Sequence, residues 1–167
     1  LRENSPGIDI IRVPDDRYLA GTDRLEPKAV RFRTDMDGFV EPSAVHKNPD
    51  IKIYFLGGST TECLYVEESE RFPYLAQGIV EKGIGKNVNT YNGGVSGNNS
   101  LHALNIFVNK IAGNGPTAVV FMENINDLVT LTYEGTYWNQ HPTKSPIITL
   151  DGREVSLGEA TARSVKN

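Results

Sequence analysis

The sequence predicts an α/β domain built on a parallel sheet, and three observations carry that prediction. Residues 51–56 (Ile-Lys-Ile-Tyr-Phe-Leu) place five apolar or aromatic side chains in six positions, the pattern of a strand buried on both faces. Residues 88–91 (Val-Asn-Thr-Tyr) and 118–122 (Ala-Val-Val-Phe-Met) read as two further short strands. The intervals between the three carry helical periodicity. Strand, helix, strand, helix, strand at this spacing implies two right-handed crossovers and parallel pairing.

In chain order, residues 1–50 read as an irregular N-terminal arm packed on the main domain. Pro6, Pro14, Pro27, Pro42 and Pro49 divide it into short β pieces at 8–13 and 29–34, and Asp37-Gly38 is a turn signal. The strand at 51–56 opens the main domain, residues 51–167. The loop after it carries Glu67, Glu68 and Glu70, most simply a solvated face. A helix starts near Pro73, a residue suited to the first helical turn. Phe72, Leu75, Ala76, Ile79 and Val80 recur at i, i+3, i+4, i+7 and i+8 and make one apolar stripe. Gly83-Ile-Gly85 ends it. The strand at 88–91 is closed by Asn92-Gly-Gly-Val-Ser-Gly97. Residues 98–112 predict a second helix with Leu101, Leu104, Val108 and Ile111 on its inner face. Pro116 and the third strand follow, leading into Glu123-Asn-Ile-Asn-Asp127.

The remainder has a different character. Residues 133–146 mix aromatics, glycine and proline without a period and read as a loop or lid. Residues 147–155 predict a β-hairpin around Asp151-Gly152, so that an insertion spans roughly 133–155. Ser156 with Glu159 is a capping box and should start a helix. That helix has barely begun by Asn167, and three strands make a thin sheet where such domains usually have about five. The expectation is a domain whose C-terminal part is missing.

Composition excludes several classes of function. With 38% hydrophobic and 23% charged residues among 167, and a net charge of -4, the chain has no basic excess to attract nucleic acid. The single Cys63 rules out an internal disulfide framework and a cysteine-rich metal site. Asp35 and Asp37 read as turn formers rather than metal ligands, so no metal and no cofactor are expected. No apolar run is long enough to span a bilayer. The compartment stays open, with an extracytoplasmic one slightly favoured because the chain opens at Leu1 rather than Met.

Open α/β folds place their sites at the carboxyl edge of the sheet, and all three strands end there in polar residues. Ser59 follows the first strand behind two glycines and is a candidate nucleophile. Gly97 closes the turn after the second, where a backbone N–H would be unobstructed. Asn126 follows the third and could offer a side-chain N–H. With the N–H of Ser59 itself, these are the donors that an oxyanion at an attacked ester carbonyl requires.

Gly57-Gly-Ser-Thr60, Asn92-Gly-Gly-Val-Ser-Gly97 and Asn126-Asp127, in that order and each behind a strand, resemble blocks I, II and III of the SGNH (GDSL-like) hydrolases. The resemblance covers roughly residues 50–130. It implies a flavodoxin-like three-layer α/β/α sandwich and the activity of esterases, deacetylases, lipases and some acyltransferases acting on sugars. It makes Ser59 the nucleophile, and Gly97 and Asn126 the oxyanion donors of blocks II and III. The expected substrate is an acyl ester, most plausibly an acetyl ester, of a carbohydrate or small molecule. Gly58 stands where family members usually have Asp, a familiar variation. Block V departs more seriously. No Asp-x-x-His follows Asp127, and the only later histidine is His141 in the irregular loop. Without a histidine base a serine is a weak nucleophile near neutral pH, so these residues alone are expected to be inactive.

Plainer roles compete at each position. Ser59 could cap a helix, Gly97 could simply turn the chain, and Asn126 could end a strand. His46, His102 and His141 read as solvated or structural residues, and Cys63 as a small buried hydrophobe. Acyl transfer to a sugar hydroxyl would use the same residues as hydrolysis. A non-catalytic module gripping phosphate or sugar with backbone amides is the alternative of another class. A nucleotide loop is disfavoured, because no Gly-Lys-Ser/Thr follows Gly57 at the required spacing. A sheet ending at the third strand would leave that strand's edge unpaired, which invites self-association.

Overall fold

The computed structural model describes residues 2–22 and 25–137. The predicted hairpin at 147–155, the capping box at Ser156 and His141 lie outside the described residues. The fold is mixed α/β. Strands β3 (Ile51–Gly57), β4 (Val88–Gly94) and β5 (Ala118–Met122) form a parallel sheet in the order β4-β3-β5. Its connections are the helices α2 (Ser59–Glu62), α3 (Phe72–Ile84) and α4 (Ser100–Ile106), and α5 (Ile125–Glu134) follows β5. The arrangement is compatible with a three-layer α/β/α fold. Among the described residues no helix is long and apolar enough to cross a membrane.

β3 lies in the middle because its side chains can be covered on both sides, and Tyr54, Phe55 and Leu56 are buried. Leu56, Tyr54, Phe39, Ala103, Ile106 and Ile111 make the main core cluster. Tyr54 stacks on Tyr91 across the strand pair, with centroids 4.5 Å apart, and Phe39 meets both rings edge-on.

β4 is an edge strand, and its outward polar groups are met by side chains. Gln77 and Glu81, one turn apart on α3, accept from the N–H of Thr90 (3.2 Å) and of Val88 (3.0 Å). Val40 donates to the Asn92 carbonyl at 2.8 Å. This corrects the predicted face of α3. Pro73 and Gln77 are buried while Leu75 and Ile79 are exposed, because the helix turns its hydrogen-bonding side chains to the sheet edge. Gly85 ends α3 in the left-handed conformation, as a C-terminal glycine should.

The second helix also departs from its predicted face. Leu104 and Val108 are exposed, and His102, Ala103, Ile106 and Ile111 point inward. Asn99 and His102 form a reciprocal capping box that sets the rotation of α4. A π-helical turn then spans Phe107–Ile111, so Ile111 rather than a residue at 109 or 110 comes next inward after Ile106.

The arm contains an antiparallel pair, β1 (Asp9–Arg12) with β2 (Val30–Arg33), and a short helix α1 (Asp16–Gly21) that the proline pattern did not suggest. Asp15 caps α1, accepting from the N–H of Arg17 and Tyr18. The glutamate loop is not a plain solvated face. Glu68 grips Arg33 with two bonds of 2.8 and 2.6 Å, and Glu67 pairs with Lys28. Arg71, fully buried, donates to the carbonyls of Val66, Arg31 and Glu41 and lies over the Phe32 ring. Helix α5 runs through Tyr133 and Glu134, where a loop had been predicted.

Candidate active site

The turn after β3 is built by close approach. Gly58 has an ordinary negative φ, so its lack of a side chain serves space rather than backbone freedom. A Cβ there would lie 2.5 Å from Asn126 Nδ2 and 3.3 Å from the Asn98 carbonyl oxygen. Gly94 plays the matching part at the end of β4, where a Cβ would meet Glu62 N at 2.3 Å and Thr61 C at 2.6 Å. Helix α2 therefore sits directly on the end of β4. Asn92, buried in that strand rather than in the turn after it, donates to the Thr61 carbonyl at 2.7 Å and accepts from Gly94 N–H at 2.9 Å.

Ser59 is the first residue of α2 and is exposed. Thr61 and Glu62 donate their N–H groups to Gly58 O at 3.1 and 3.0 Å. The N–H groups of Ser59 and Thr60 belong to the first turn, which has no acceptor within the helix. Gly97 has a φ of +82°, a left-handed position in the turn that Asn98 closes by donating to Val95 O at 2.9 Å. Asn126, in the first turn of α5, donates to Asn98 O at 2.7 Å. One amide hydrogen of Asn126 is thereby fixed, and the second remains to be offered elsewhere.

Ser59 and Asn126 line one cleft of about 410 Å³ with Thr60, Met122, Glu123 and Asn124. Gly97 does not line it, but is joined to it through Asn98. Ser59 and Thr60 also border a second cavity of about 300 Å³ on the arm side, walled by Tyr18, Leu25, Leu64, Tyr65 and Ser96. Tyr18 and Tyr65 meet edge-on there, 5.0 Å apart.

Three acidic groups surround the site. Glu62 is buried and accepts from both N–H and Oγ of Ser96. Burial raises its pKa, and the Ser96 bonds oppose that rise. Asp127 accepts from Ser100 N–H at 3.0 Å and from Tyr137 Oη at 2.6 Å, which ties α5 to the start of α4. Glu123 lines the Ser59 cleft, and burial, aided by the charge of Asp127, pushes its carboxyl up to about 8. Cys63 is buried, donates to Thr60 O and has its thiol pushed up by burial.

The two histidines among the described residues, His46 and His102, have structural partners. His46 meets Glu81, and His102 Nδ1 accepts from Asn99 N–H within the capping box. Among the described residues no group of three or more His, Cys, Asp or Glu could hold a metal. Sequence reasoning had not singled out Glu62, Asn92 or Glu123. Asn92 and Glu123 stood in quoted stretches without a role, whereas Glu62 is marked only by its burial. Comparison with protein-family models, with curated proteins and with solved structures returns no match for this chain.

Proposed function

We propose that Ser59 is the nucleophile of an acyl-ester hydrolase of the SGNH type on a flavodoxin-like fold, with Gly97 and Asn126 as oxyanion donors. The observation that carries this reading is the contact between turns from all three strand ends. The Gly58-Ser59 turn packs on Asn126, whose amide is in turn held by the Asn98 carbonyl beside Gly97. In this reading Ser59 Oγ attacks the carbonyl carbon and gives its proton to a base. The carbonyl oxygen takes the negative charge and is met by the Ser59 and Gly97 N–H groups and the second hydrogen of Asn126 Nδ2. Collapse expels the alcohol and leaves an acyl-serine, which water hydrolyses; a sugar hydroxyl in place of water would make the same site an acyltransferase. Cavities on both sides of Ser59 offer room for the acyl and alcohol parts. The base is sought outside the described residues, since His46 and His102 already have structural partners. A carbohydrate ester is the proposed substrate class.

A fluorophosphonate probe on the full-length protein, in which a base accompanies Ser59, tests the reading. The protein should be labelled at Ser59, as mapped by peptide mass spectrometry, and Ser59→Ala should remain unlabelled. A folded protein that takes no label, or takes it elsewhere, refutes the assignment and leaves a binding module whose turns grip sugar or phosphate.

A further inference from the structure

We infer that Glu123 is a substrate-contacting carboxyl of the Ser59 cleft, which binds a hydroxyl of an uncharged polyol and disfavours ligands carrying an anion at that point. The inference rests on the cleft proposed above and names the class of ligand it would take. Glu123 stands immediately after β5, between Met122 and Asn124, and all three line the cleft with Ser59 and Asn126. Its Oε1 is buried and has no hydrogen-bond partner among the described residues. An unpaired carboxyl oxygen closed to water disfavours the anion, so the group bordering the cleft is a neutral carboxyl.

The surroundings select what that partner can be. Among the described residues the cleft's lining contains no Lys, Arg or His. Asp127, whose charge acts on Glu123, is already engaged by Ser100 and Tyr137. Tyr137, raised to about 12 by its bond to Asp127, is a neutral hydroxyl at ordinary pH. With no cation among the described residues of the lining, Glu123 holds its proton up to about pH 8. It then presents one donor and one acceptor, the pair that a sugar hydroxyl complements. A carboxylate or phosphate on the ligand would face Glu123 and Asp127 without a counter-charge, so the cleft should reject it.

Titration calorimetry on the Ser59→Ala protein, which cannot turn over its ligand, tests this with an acetylated methyl xyloside and the matching acetylated methyl glucuronide. The xyloside should bind at least about tenfold more tightly than the glucuronide. Adding Glu123→Leu should weaken the xyloside by about tenfold. Adding the isosteric Glu123→Gln should keep xyloside binding within about threefold and narrow the discrimination at pH 9.5. Thermal melting of each variant checks that it folds. Equal affinity for the two glycosides, binding of neither, or no effect of Glu123→Leu in a folded protein overturns the inference. Failure of the fluorophosphonate to label Ser59 while binding still depends on Glu123 removes the hydrolase reading and leaves the polyol site standing. Labelling with no dependence on Glu123 does the reverse.

Discussion

Asn126 has one amide hydrogen spent on Asn98 O and a second to offer, so its orientation is set before any ligand arrives. Pre-set donors act at the transition state without a cost of reorganisation. Asn126→Ala is therefore expected to lower kcat on an acetyl ester by about 10²–10³-fold with KM little changed, which steady-state kinetics on a simple aryl acetate would read. Equal loss in KM and kcat/KM would instead make Asn126 a ground-state binding group. Glu123 makes a second prediction at this scale, about stability. Its carboxyl is raised in the folded protein from 4.5 to about 8, so the unfolded chain releases that proton first. The contribution of Glu123 to stability is complete below about pH 4.5 and is lost as pH rises towards 8. Glu123→Gln removes the decline. Its melting temperature should match the parent at pH 4 and exceed it at pH 9, and a difference independent of pH would refute the assignment of a buried neutral carboxyl.

At the scale of elements, the position of Ser59 depends on α2 resting on the end of β4. A Cβ at residue 94 would strike backbone atoms of Thr61 and Glu62, which cannot rotate aside as a side-chain tip could. Gly94→Ala should cost about 1–3 kcal/mol in denaturant unfolding and slow fluorophosphonate labelling, because α2 must lift and carries Ser59 with it. Unchanged labelling would mean that the turn's position does not matter to reactivity. The same elements indicate what a sequence can convey. The strands at 51–56 and 118–122 were legible because an apolar run bounded by glycine and proline has few other uses. The second strand was legible only over 88–91, since Asn92-Gly-Gly94 signals a turn, whereas β4 runs to Gly94. Ser59, Gly97 and Asn126 were legible as places because the ends of parallel strands share one edge. The inward faces of α3 and α4 were not. Gln77 and Glu81 are drawn inward by the N–H groups of an edge strand, and the capping box and π turn of α4 reset its phase. Such pulls come from neighbours distant in the chain and leave no local period. The cap of α1 by Asp15 was not read from the sequence and emerges only from the structure. The state of Glu123 likewise depends on tertiary burial that no spacing of residues encodes.

At the scale of the molecule, the two edges of the sheet contrast. The arm and α3 close the β4 edge: Val40, Gln77 and Glu81 meet its polar groups, while Arg71 and the Arg33–Glu68 pair hold the arm in place. The arm also reaches the candidate site, with Arg2 donating to Ser96 O and Asn4 to Gly94 O, both at 3.0 Å. Among the described residues β5 has a ladder only with β3. Phe121 and Met122 on that strand, and Ile125, Leu128 and Leu131 on the helix after it, are exposed. An unpaired strand edge flanked by apolar side chains is a template for a second strand. The 167-residue chain is therefore expected to self-associate through β5 as its concentration rises, giving a scattering mass above the 18.4 kDa of one chain. Phe121→Lys should shift that association to higher concentration, since an edge lysine opposes strand addition. A mass of one chain at high concentration, or an association indifferent to Phe121→Lys, would show that this edge is not where copies of the chain meet.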